Sequence, residues 1–176
     1  MIRRVFGVIF IAIGLLMLAA VGNHWFRWDL PFPMKSVDIK EQIAAGDIRH
    51  VNVRSGSSDV TVTRSDSDQI KVHLTGKAFS GFSKNVDLEI EQRRDTLELN
   101  VVWPKGPFFI IWADLQLTVE LPVKKWDGVD IELGSGDTEV AGIKSGKIKV
   151  STGSGDSRLT EAYADEIQIK AGSGDI

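Results

Sequence analysis

The sequence predicts an all-β fold, a β-solenoid or β-roll of stacked short strands, preceded by one N-terminal transmembrane helix. Three observations carry that prediction. The tetrapeptide Gly-Ser-Gly-Asp occurs at 134–137, 153–156 and 172–175, a spacing of 19 residues both times. Apolar residues alternate with polar ones on either side of these corners, the period of a half-buried strand. Finally, residues 5–22 read VFGVIFIAIGLLMLAAVG without a single charge.

The N-terminal run comes first. At about 1.5 Å per residue, 18 helical residues cover about 27 Å, close to the ~30 Å hydrocarbon thickness of a bilayer. A lone span must pair its own backbone groups, so it must be a helix. Arg3 and Arg4 precede the run, and basic flanks stay in the cytoplasm, so residues 1–4 are expected inside and the rest of the chain outside. Trp25, Phe26, Trp28 and Phe32 then form an interfacial collar, and Pro31 and Pro33 stiffen a linker. The expected organisation is a cytoplasmic stub at 1–4, an anchor at 5–26 lying in the lipid bilayer, a juxtamembrane linker at 27–44 and an extracytoplasmic β-domain at 45–176. Ala20-Val21-Gly22 is a tolerable small-x-small site, so cleavage as a signal peptide is the competing reading.

Composition narrows the function. Of 21 basic and 24 acidic residues, three and one fall in residues 1–34, which leaves the remainder at a net charge of −5. A mildly acidic domain without basic runs, its aromatics not interleaved with Lys or Arg, is not a nucleic-acid binder. Cysteine is absent, so thiolate metal sites, Cys nucleophiles and disulfide staples are excluded. A hydrophobic content of 43% is enough for a core built by packing alone.

The repeat dictates the rest. Ile131 and Leu133, Ile148 and Val150, and Ile167 and Ile169 precede the three corners; Thr138 with Val140, Ser157 with Leu159, and Ile176 follow them. Glycine reaches positive φ without steric cost, and Ser or Asp side chains bond nearby backbone N–H groups, so the corners are turns between strands. A 19-residue unit cannot bury its apolar face alone and must stack on its neighbours, as a right-handed parallel solenoid or a two-sheeted roll. A degenerate copy runs from Val51 to Val62, with Ser58 replacing the second glycine. Between the two regions, alternations at 70–74, 86–90, 97–101 and 115–121 predict antiparallel pairs, with turns near Ser80-Gly81, Arg93–Asp95 and Pro104–Pro107. The chain stops at Ile176 directly after a corner, and truncation at the C-terminus is expected.

The anchor, the Ser-Gly-x-x-Asp-Val-x-Val copy at 55–62, the Leu-Thr-Val-Glu-Leu-Pro segment at 117–122 and the three corners together resemble a bacterial adhesin-type family of unknown function, DUF4097, over about residues 45–176. The layout is similar to its LiaG-like membrane-anchored members of envelope-stress operons. The resemblance implies a β-solenoid and brings no catalytic residues.

No catalytic or cofactor constellation emerges from the residues themselves. His24, His50 and His73 are far apart, and no nucleophile elbow or phosphate loop is present. Asp137, Asp156 and Asp175 would stack about 4.8 Å apart, a spacing that calcium could relieve, although solvated turn caps are the simpler role. Trp103, Phe108, Phe109 and Trp112 surround a Pro/Gly turn and form either a cover for the β-core or a contact with membrane or partner. The expected function is a non-enzymatic, membrane-anchored cell-envelope module for adhesion or stress sensing that binds an envelope protein or polymer. The alternatives are an enzyme acting on envelope polysaccharide, with carboxylate pairs such as Asp130/Glu132 or Asp137/Glu139, and a scaffold that self-assembles through its terminal rung.

Overall fold

The computed structural model describes residues 34–79, 86–103 and 113–176, which belong to one compact unit. The predicted anchor at 5–26 lies outside the described residues. Among the described residues no helix is long and apolar enough to cross a membrane.

Twelve strands are described, in two six-stranded sheets. The first sheet is ordered β1-β4-β7-β3-β9-β11 and the second β12-β10-β8-β2-β6-β5. The strands are β1 (Met34–Ala44), β2 (His50–Ser57), β3 (Asp59–Ser65), β4 (Gln69–Phe79), β5 (Asp87–Arg93), β6 (Thr96–Val102), β7 (Ala113–Pro122), β8 (Lys125–Ser135), β9 (Thr138–Ala141), β10 (Lys144–Ser154), β11 (Ser157–Thr160) and β12 (Tyr163–Ser173).

The 19-residue repeat is one coil of a parallel solenoid, holding a long strand, a corner and a short strand. Val129 pairs with Ile148 and Ile148 with Ile167, while Thr138 pairs with Ser157, each one repeat apart. The degenerate copy adds another coil, since β2 runs parallel to β8 and β3 parallel to β9.

Register turns the alternation into ladders. Leu97, Val51, Val129 and Ile148 form one buried row, and Leu99, Val53, Ile131 and Val150 the next. Opposite them run the rows Leu74-Leu117-Val60 and Val72-Val119-Val62-Val140. At about 25 cal/mol per Å² of apolar surface, these sandwiched rows are the main source of stability.

Away from the repeat, pairing departs from simple hairpins. β5 and β6 do form the predicted antiparallel pair, turning at Arg94 with φ 57°. β4 and β7 are also antiparallel, but β7 lies parallel to β3, and β6 parallel to β2. Each middle strand therefore joins the solenoid on one edge and an antiparallel strand on the other. Residues 34–44, assigned above to the linker, form β1, paired antiparallel with β4 along its whole length. Its alternating Val37, Ile39 and Ile43 fit the pleat, with Val37 buried. The predicted turns at Ser80-Gly81 and Pro104–Pro107 fall outside the described residues.

Candidate functional site

The corners assemble the most regular array of functional groups in the molecule. Gly136, Gly155 and Gly174 hold φ of 120°, 127° and 131°, a conformation that L side chains rarely adopt. A Cβ on Gly155 would also collide with the backbone carbonyl of Gly136 one coil away. Gly134, Gly153 and Gly172 make a second ladder; a Cβ on Gly153 would lie 2.5 Å from the Gly134 carbonyl oxygen. Both glycines of each tetrapeptide are thus required by the approach of the neighbouring coil. Ser58 avoids positive φ, is buried, and donates its Oγ–H to Ser55 Oγ at 2.8 Å.

The aspartates complete the corner. Asp137, Asp156 and Asp175 donate their backbone N–H groups to Oδ1 of Asp59, Asp137 and Asp156 respectively, at 2.9, 2.8 and 2.8 Å. In the opposite direction Val60, Thr138 and Ser157 donate their N–H groups to the carbonyls of Asp137, Asp156 and Asp175. The three aspartates do stand in a row, and the carboxylates of Asp59, Asp137 and Asp156 each accept an N–H from the next coil. Charge repulsion along the row is offset by these charge-assisted bonds. Among the described residues no three His, Cys, Asp or Glu side chains converge as metal ligands.

A groove of about 750 Å³ runs beside this row, lined among others by Asp137, Asp156, Thr138, Ser157, Glu139 and Arg158. Thr138 Oγ1 and Ser157 Oγ are buried there without a hydrogen-bond partner. Nothing in the sequence marks them as different from apolar strand residues, since Val60 occupies the same row.

The other sequence candidates are scattered. Asp130 pairs with Lys149 Nζ at 3.3 Å and Glu132 with Arg54 Nε at 3.5 Å on the outward face of the second sheet. Each carboxylate is thus committed to a surface ion pair rather than facing its neighbour across a cleft. His73 Nε2 lies 2.7 Å from Asp38 Oδ1, joining β4 to β1, and this hydrogen bond, aided by Lys40, holds the Asp38 carboxyl below its ordinary value. His50 sits on another sheet, at the start of β2. Trp103 is half-buried against the core, its indole 3.1 Å from where a Cβ on Gly56 would stand. Phe108, Phe109 and Trp112 lie outside the described residues.

Sequence inspection also missed the seam between the β1–β2 turn and the β7–β8 turn. Lys124 Nζ donates to the carbonyls of Ala45 and Ile48 at 3.1 and 2.6 Å and sits 4.1 Å from the Trp126 ring centroid. Burial pushes the Lys124 ammonium down, with Arg49 adding to the shift. Beside it Arg49 Nε donates to Asp127 Oδ2 at 2.6 Å, lowering the Asp127 carboxyl and raising the guanidinium. The seam is a structural clasp that ties the two turns together through backbone carbonyls and one carboxylate.

The fold has solved counterparts. The crystal structure of a "putative cell adhesion protein" from Clostridium sporogenes superposes with a TM-score of 0.53 at 11% identity, covering 81% of this chain and 98% of its own. A "putative adhesin" from Parabacteroides distasonis aligns at 13% identity over 80% of this chain and 79% of its own, with a TM-score of 0.34. At such identities the first likeness speaks for the fold alone. No curated protein matches the chain. The sequence model of the Toastrack DUF4097 family matches residues 48–176, the span that holds all the coils and corners. The chain belongs to the Toastrack DUF4097 family.

Proposed function

We propose that this protein is a non-enzymatic interaction module of the cell envelope, of adhesion type, held to the membrane by residues 5–26 with the β-domain outside. The observation that carries the reading is the spending of polar groups on structure. Corner carboxylates hold backbone N–H groups, and outward carboxylates hold Lys or Arg. What such a surface offers is an extended, rigid face, the kind that repeat folds use for binding. The adhesion wording given to the Clostridium sporogenes protein agrees with this role. The uncharged run behind Arg3 and Arg4 supports the topology, and the membership in DUF4097 is compatible with a LiaG-like part in envelope stress.

Trp103, Phe108, Phe109 and Trp112 are the proposed contact with the bilayer or an envelope partner. The test is twofold. Protease added to intact cells whose wall has been removed should digest residues 45–176 while sparing the N-terminal stub; full protection overturns the topology. Phe108→Ser with Phe109→Ser should reduce liposome binding of residues 33–176, the unit that is compact by itself, and unchanged binding removes the aromatic segment from the reading.

A further inference from the structure

β1 is the strand through which residues 1–33 reach the rest of the domain. It stands at the end of the first sheet and, among the described residues, pairs only with β4, from Met34 opposite Phe79 to Ala44 opposite Gln69. Its hold on the core is slight. Val37 is its one buried residue, with Ile39 and Ile43 partly buried, whereas β4 beside it buries Ile70, Val72, Leu74 and Ala78. The His73–Asp38 contact across the pair is open to solvent and adds little. A strand with so little apolar burial is among the first elements to open.

The turn that follows is fastened instead. Ile48 is fully buried and donates its N–H to the Ala45 carbonyl at 3.0 Å, and Lys124 Nζ donates to the carbonyls of Ala45 and Ile48 at 3.1 and 2.6 Å. Arg49 adds its bond to Asp127. The direction of load then decides how β1 fails. In the first sheet β1 and the later coils lie at opposite ends of the strand order, so a pull on Met34 against a later coil acts across the strands. Loaded that way, the β1–β4 pairs break in turn from Met34, each bearing the whole force, whereas pairs pulled along the strand would share it.

We propose that β1 is a strap released by tension. Force between the N-terminal segment and a partner gripping the solenoid peels β1 from β4, and the Lys124 clasp stops the peeling at the β1–β2 turn. Release adds the 11 residues of β1 to the tether, about 36–40 Å at ~3.3–3.6 Å each. It also bares the outer edge of β4, a row of backbone donors and acceptors able to pair with another strand. The inference rests on the proposed membrane attachment for the source of the load, and it gives that reading a means by which envelope strain changes the reach and the surface of the domain.

The chain has no cysteine, so two introduced thiols place the handles of an optical trap without ambiguity. The handles on full-length protein in detergent stand in for membrane and partner, so the result is independent of the topology tested above. Met34 and Asp47 are exposed, and Ser151 is half-exposed on β10, an interior strand of the second sheet. With handles on Met34→Cys and Ser151→Cys, an early, reversible step of about 36–40 Å should precede the unfolding of the body. With handles on Asp47→Cys and Ser151→Cys, which bypass β1, the early step should be absent and the later one unchanged. Adding Lys124→Met to the first pair should lengthen the early step beyond about 40 Å, while the later step shows that the body is still folded. The proposal is overturned if the first pair unfolds in a single step at the force of the second, if the second pair keeps the early step, or if Lys124→Met leaves its length unchanged.

Discussion

Asp156 donates its backbone N–H to the Asp137 carboxylate at 2.8 Å, and Asp175 repeats the contact with Asp156 at the same distance. Each corner of the solenoid is thereby tied to the previous one by a side chain where the turning backbone supplies no carbonyl. Asp137→Ala should lower stability by about 0.5–1.5 kcal/mol, since water can reach the exposed N–H it abandons. Asp137→Asn keeps an acceptor oxygen and should cost less than half as much. Thermal unfolding of both variants checks the pair, and equal losses would mean that carboxylate charge matters more than the hydrogen bond.

Backbone conformation gives a prediction of both signs. Gly155→Ala puts a side chain at φ 127° and against the Gly136 carbonyl, and should destabilise by about 2 kcal/mol or more. Glu161 stands 19 residues after Gly142 and shares its left-handed turn conformation, at φ 51° against 71°. Glu161→Gly should therefore stabilise, by up to about 1 kcal/mol after the entropy gained by the unfolded chain is subtracted. Denaturant midpoints decide both.

Thr138 is 2% exposed and its Oγ1 lacks a hydrogen-bond partner, while Val60 beside it fills the same row. An unpartnered buried hydroxyl costs about 1–3 kcal/mol relative to a satisfied one. Thr138→Val should raise stability by about 1 kcal/mol, an increase in urea midpoint at constant slope. A fall in the midpoint would show that the hydroxyl is satisfied in solution, by water or by a ligand in the groove.

Acid sensitivity should trace to depressed carboxylates, Asp38 and Asp127 between elements and Glu91 beside Arg93 within β5. His73 first, then Lys40, holds Asp38 below its ordinary value of 3.8, and Arg49 does the same for Asp127. A depressed folded value means that the stabilisation is complete above the unfolded value. It is lost as pH falls through the folded values, below 3.8. Stability should therefore drop between about pH 5 and pH 2. Both groups are exposed, so the loss should be partial and shrink in high salt. In the Asp38→Asn, Asp127→Asn double variant the urea midpoint should vary less over that range, and an unchanged pH profile would assign the loss to other groups.

Local chemistry alone was enough to read the coils. A turn that needs positive φ needs glycine, and a half-buried strand needs alternation, so Gly-Ser-Gly-Asp every 19 residues and the Ile/Val pairs around it determine both the coil and its core face. Partners distant in sequence were decided only by the folded chain. β1 is built from residues with an ordinary alternation, yet it is a strand because β4 offers it an edge, and nothing within 34–44 distinguishes that from a linker. β6 and β7 likewise show the same period whether their neighbours run parallel or antiparallel, because side-chain alternation carries no strand direction. At the candidate site, the sequence placed Asp137, Asp156 and Asp175 in a row but could not show that the Asp137 and Asp156 carboxylates each receive the next backbone N–H. That bond depends on where one coil stops relative to the next, a distance set by packing and not by any residue at the corner.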